Sequence, residues 1–138
     1  MKQSPLQLDN HFFIKVSIEA SAAEETTGDI DFFSEVTIKQ HAENENMWLV
    51  QLRVATSDDV TIEPNYKFDV EVVGMFSVSA EYSKEKASQL VEFNGPAVLF
   101  GSIREMISNI TSRGPMAQFD LPTVTFISNE NSKGQSEE

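Results

Sequence analysis

Apolar and polar residues alternate with a period of two over most of residues 12–80, and the period then changes to that of a helix. Phe12, Ile14, Val16 and Ile18 alternate with Phe13, Lys15, Ser17 and Glu19, which predicts a half-buried strand with the first set inward. After a soft stretch from Ser21 to Asp29, a second strand turns Ile30, Phe32, Val36 and Ile38 inward and Glu35, Thr37 and Lys39 outward. Residues 42–46 (AENEN) read as a hairpin loop. The third strand puts Trp48, Val50, Leu52 and Val54 inward against Gln51 and Arg53. A fourth runs from about Tyr66 to Ala80, with Phe68, Val70, Val72, Phe76 and Val78 as its buried row. Gly74 interrupts that row and predicts a bulge or sharp twist.

Ser83 is placed to cap a short helix over Lys84–Phe93, and Asn94-Gly95-Pro96 is expected to break it. Pro96 then reads as the first residue of a longer helix that stops at Gly114-Pro115. Leu99, Phe100, Ile103, Met106, Ile107 and Ile110 form its apolar stripe. Ala97, Gly101, Ser108 and Ser112 make another side uniformly small, so a second helix is expected to approach there, in an oligomer. The sum is an α+β fold: a four-stranded antiparallel sheet, meander or Greek key, with one short and one long helix on one face. Residues 1–127 make one domain, and 128–138 are expected to be a disordered polar tail.

Charge narrows the function. Across 138 residues, 22 acidic side chains against 10 basic ones give a net charge of -12. That opposes nucleic acid and anionic membrane surfaces, whose binding rests on Lys and Arg. It suits a protein that must stay dispersed while exposing apolar surface. Without cysteine there is no disulfide, thiolate metal site or Cys nucleophile. Residues 1–10 carry no continuous apolar run and no stretch approaches membrane-spanning length, so the expectation is a cytoplasmic protein without membrane insertion.

Catalytic patterns are missing. His11 and His41 fall outside metal-ligand spacing, and there is no nucleophile elbow or phosphate loop. Glu24-Glu25 and Asp58-Asp59 read as solvated turn acids. Adjacent helical residues diverge by about 100° and do not face each other, so Arg104-Glu105 suits a structural role, such as an intersubunit salt bridge, better than an active pair. No enzyme, cofactor or metal is expected. Binding is the better prospect: Phe12-Phe13 and Phe32-Phe33 each put one ring on either side of a strand. The exit from the helix, with Met116, Phe119, Leu121, Val124 and Phe126, is more apolar than a surface loop requires.

Several stretches together resemble the SecB family of export chaperones. In the helix and its exit these are Pro96, Leu99-Phe100, Arg104-Glu105, Ser112-Arg113-Gly114, Leu121, Pro122, Val124 and Phe126. Val70-Glu71, Gly74 and Phe76-Ser77-Val78 match the family's VExxGxFSI-type strand, and residues 16–20 match its first strand. The resemblance spans roughly residues 12–126. It implies an ATP-independent holdase that binds unfolded polypeptides in apolar grooves, lined here by Phe32, Phe33, Met116, Phe119, Leu121 and Val124. It implies a homotetramer, a dimer of dimers, with helices packed between sheets. It also implies docking on the SecA translocation motor through an acidic outer sheet face, of which Glu19 and Asp69 remain. Lys15 and Lys67 depart from that face and should weaken the motor contact, and no second helix follows the exit segment. Three alternatives stay open: a SecB-like chaperone dedicated to a toxin–antitoxin pair, a small ligand-binding or enzymatic domain, and an assembly protein with no client.

Overall fold

The computed structural model describes residues 2–126; the polar tail expected over 128–138 lies outside the described residues. Four long strands form one antiparallel sheet: β1 (Leu6–Ala20), β3 (Phe32–Gln40), β4 (Met47–Thr56) and β6 (Tyr66–Val78), in the order β1-β6-β4-β3. β3, β4 and β6 follow one another as hairpins and β1 returns beside β6, so the arrangement is a Greek key. A two-residue parallel pair, β2 (Thr26–Thr27) with β5 (Glu63–Pro64), ties the connections at one end.

The alternation predicted for the third and fourth strands is observed. Val50, Leu52 and Val54 of β4 and Val70, Val72 and Phe76 of β6 are completely buried on the inner face. Glycine 74 carries no bulge: the β4–β6 register runs unbroken through Val50 opposite Gly74. Its role is clearance, because a Cβ there would lie 2.8 Å from Leu99 Cδ2.

The bulges fall instead on β1, where Asp9 and Ile14 are the extra residues. Each reverses the alternation. Phe13 therefore faces inward opposite Val72, and Phe12 faces outward opposite Val73, the reverse of expectation. Val16 and Ile18 return to the inner side opposite Val70 and Phe68. On this edge strand Phe12, Ile14 and Val16 remain 47%, 50% and 43% exposed.

The expected short and long helices are one uninterrupted helix, α1 (Lys84–Thr111). Ser83 caps it as predicted, its hydroxyl accepting from the Lys86 N–H at 3.2 Å. Pro96 is an interior residue rather than the first turn. The reason is a strict four-residue row: Ala87, Val91, Gly95, Leu99, Ile103, Ile107 and Thr111 are all buried. That row crosses the supposed break and drifts only about 40° around the helix at each step. A Cβ on Gly95 would sit 3.2 Å from Val50 Cγ2, so this glycine marks a close approach of helix to sheet. Relative to alanine, Gly and Pro together disfavour the helix by about 4 kcal/mol. Burial of Val91, Leu99, Phe100, Ile103 and Ile107 at about 1.5–3 kcal/mol each outweighs this. Met106 is only half-buried and Ile110 is exposed.

Candidate functional site

The helix ends at Thr111 and the chain turns back along the inner face as an irregular strap, residues 115–126. Phe119 stacks on Phe68 with ring centroids 6.0 Å apart. Phe126 meets Phe100 edge-on at 6.0 Å. Phe32 sits between the two pairs, 6.4 Å from Phe68 and 6.5 Å from Phe100. Leu121 is 1% exposed beneath them, and Val124 packs on the same core. Alternation aimed Phe32 inward and Phe33 outward, and both are so placed. Of the six predicted client-contact residues, Phe32, Phe119, Leu121 and Val124 border the inner aromatic surface, while Met116 is half-buried and is held through its main chain at Tyr66. Phe33 lies on the other side of the sheet, under the Arg53 guanidinium at 5.3 Å.

The strap belongs to neither helix nor strand, and side chains hold its main chain. Met116 N–H donates to the Tyr66 hydroxyl at 3.1 Å, and that hydroxyl lies within donating range of the carbonyls of Met116 (3.2 Å) and Thr111 (3.3 Å). Phe119 N–H donates to Thr111 Oγ1 at 3.0 Å. Arg104 Nε donates to the Leu121 carbonyl at 3.0 Å. Gln118 bridges Ser108 Oγ (2.7 Å) and Asp120 Oδ1 (3.1 Å). The Ser108 hydroxyl, then Gln118, holds the Asp120 carboxyl below its ordinary range. Sequence reasoning missed Tyr66, Thr111 and Arg104 as a set. One signal was available: Thr111 is a polar residue closing an otherwise apolar four-residue row.

The outer face is a lattice of compensating charges. Arg53 grips Asp69 with two bonds, Nε to Oδ1 at 3.0 Å and Nη2 to Oδ2 at 2.9 Å, and reaches Glu35 at 3.2 Å. Lys15 Nζ adds a third bond to Asp69 at 2.9 Å. The Asp69 carboxyl is pulled down to about 2, chiefly by the Arg53 hydrogen bonds and further by Lys15. Glu19 lies opposite Lys67 in register, and Lys67 pairs with Glu63 at 3.4 Å. Lys15, Glu35, Thr37, Gln51, Arg53 and Glu71 line a shallow depression of about 240 Å³. The first and fourth predicted strands are neighbours, as the reading of Lys15 and Lys67 required.

The small-residue side of α1 divides in two. Ala97 is exposed and Gly101 has nothing within 4 Å of its Cβ direction. Ser108 is taken up by the strap, and Ser112 Oγ bonds back to the Asn109 carbonyl at 2.6 Å. Among the described residues no His, Cys, Asp and Glu cluster is arranged to hold a metal ion. Among the described residues no helix is long and apolar enough to cross a membrane.

A Greek-key sheet backed by one long helix, with an apolar strap on its inner face, defines the class, and the comparisons give the family. The SecB family, described as preprotein translocase subunit SecB, matches residues 1–130. The chain belongs to the SecB family. Its fold is similar to that of the SecB-like chaperone Rv1957 of Mycobacterium tuberculosis, solved with a ChAD peptide from the HigA1 antitoxin. The TM-score is 0.65 at 14% identity, over 88% of this chain and 91% of that one. An uncharacterized protein of Methanocaldococcus jannaschii is 27% identical over 95 residues, which are 69% of this chain and 60% of the relative. The chain thus spans less than two thirds of that curated relative's length.

Proposed function

We propose that the protein is an ATP-independent holdase that binds unfolded or partly folded polypeptides on the inner aromatic surface. The observation that carries this reading is the inner-face cluster of Phe32, Phe68 and Phe100, covered by Phe119 and Phe126 of a strap that no strand ladder fixes. Apolar client surface buried there would contribute roughly 25 cal/mol per Å² before ordering costs. The net charge of -12 would keep a loaded complex dispersed. Calorimetric titration with a reduced, alkylated protein that cannot refold tests it. Binding with a negative heat-capacity change is expected, with none for the same protein in its native disulfide-bonded form.

A chaperone dedicated to one client, such as an antitoxin, is the second reading. The charge pattern of the outer face favours it over general export. A motor that docks on an acidic face would find Asp69 already gripped by Arg53 and Lys15, and Glu19 beside Lys67. SecA binding should therefore be weak. The working assembly in either reading is a cytoplasmic homotetramer. Support comes from the open stretch of α1 at Ala97 and Gly101 and from the exposed Phe12, Ile14 and Val16 on edge strand β1. No role in catalysis is assigned to any residue.

A further inference from the structure

We propose that the strap is a displaceable resident segment, and that an extended apolar client replaces it and takes over its partners. This rests on the holdase reading and deepens it. The strap has the features of the client the site would take. It carries neither helix nor strand, it presents Phe119, Leu121, Val124 and Phe126 to the aromatic surface, and it lies outside the sheet.

The main-chain polar contacts point the same way, with the Gln118–Ser108 bond as the side-chain exception. Tyr66, Thr111 and Arg104 bind main-chain atoms of Met116, Phe119 and Leu121 and touch no strap side chain through these bonds. Every extended polypeptide offers the same N–H and C=O groups, so these three side chains can serve a client of any sequence. They also tolerate the exchange. Thr111 Oγ1 keeps a bond to the Ile107 carbonyl at 2.7 Å, and the Tyr66 hydroxyl keeps the Thr111 carbonyl. Buried donors and acceptors are therefore not all stranded when the strap leaves. Arg104 is on the exposed side of the helix and can be hydrated.

Competition by a tethered copy has a quantitative signature. A segment on a short link competes at a millimolar effective concentration, so apparent client affinity falls by the fraction of protein whose surface is open. Weakening the strap must then strengthen client binding. If strap side chains were themselves part of the client's binding surface, the same change would weaken it.

The probe is a fluorescein-labelled peptide with the sequence of residues 116–126, followed by anisotropy on the full chain. Phe119→Ala is expected to tighten binding about tenfold and to speed hydrogen exchange at strap amides. Unchanged or weaker binding by the folded variant overturns the proposal. The second arm uses Ser108→Cys with Gln118→Cys, in a chain with no other cysteine. A short bismaleimide bridge between them should abolish peptide binding that the unbridged variant shows. If the bridged protein binds as well as the unbridged one, the strap is not displaced, although a bridged protein that still prevents client aggregation leaves the holdase reading standing. If neither form binds peptide nor prevents aggregation, both fail.

Discussion

Gly114 packs against the ring of Tyr66 so closely that a Cβ would lie 2.9 Å from Cζ and 3.0 Å from Cε1. No glycine in the described chain has positive φ, so Gly114 is needed for room and not for a left-handed turn. The room lets the Tyr66 hydroxyl reach Met116 and start the strap. Gly114→Ala should therefore push Tyr66 aside and destabilise the fold by about 1–3 kcal/mol, as overpacking does. Urea unfolding measures the loss, and strap hydrogen exchange should rise with it.

Gly101 offers the contrast. Nothing within the chain lies within 4 Å of its Cβ direction. Gly101→Ala should stabilise α1 by up to about 1 kcal/mol through helix propensity. Gly101→Leu should leave the subunit folded but weaken the proposed tetramer by about 1–3 kcal/mol, if helices meet there. Light scattering across a dilution series distinguishes the two; a mass unaffected by Gly101→Leu places the interface elsewhere.

The strands show how far sequence reaches. The inward rows of β4 and β6 were legible because both strands keep a period of two throughout. On β1 the same reasoning failed at Phe12 and Phe13, since an extra residue at Asp9 or Ile14 leaves no mark in the hydrophobic pattern. Asn94-Gly95-Pro96 was read as a break because local propensity says so. The four-residue row from Ala87 to Thr111 overrides it, and could have been counted. Of the site, Phe32 and the apolar exit were visible. Tyr66, Thr111 and Arg104 were not, because they meet the strap across 50, 8 and 17 residues of chain.

The outer face predicts an acid response. Asp69 ordinarily titrates at 3.8 and is held at about 2 in the folded chain. A depressed carboxylate stabilises the fold fully above 3.8, and the contribution is lost as pH falls toward 2. Asp69→Asn should flatten that part of the acid-unfolding curve. At neutral pH its loss should stay near 1 kcal/mol, because Arg53 is partly exposed and can be hydrated. A variant curve parallel to the parent's between pH 4 and pH 2 would show that the ion pair contributes little.

Motor docking gives a charge-reversal prediction. Lys15→Asp with Lys67→Leu removes one partner of Asp69 and the cation facing Glu19. Affinity for SecA, measured by surface binding at fixed salt, should rise from weak to measurable, chiefly through encounter rate. Arg53 still holds Asp69 in this variant, so recovery should be partial. Tight binding by the unmodified protein would favour the export role.

Phe32 is the inner-face ring that reaches both Phe68 and Phe100 without belonging to the strap. Phe32→Ser should lower client binding severalfold while far-ultraviolet circular dichroism shows the sheet and helix retained. Loss of the fold instead would assign Phe32 to the core alone.

Holding an unfolded client is the central claim, and light scattering from a heat-labile, unrelated enzyme tests it most directly. With an equimolar amount of this protein and no nucleotide, scattering on heating should be largely suppressed. Scattering equal to that of the enzyme alone, with this protein still folded at the same temperature, would contradict the account.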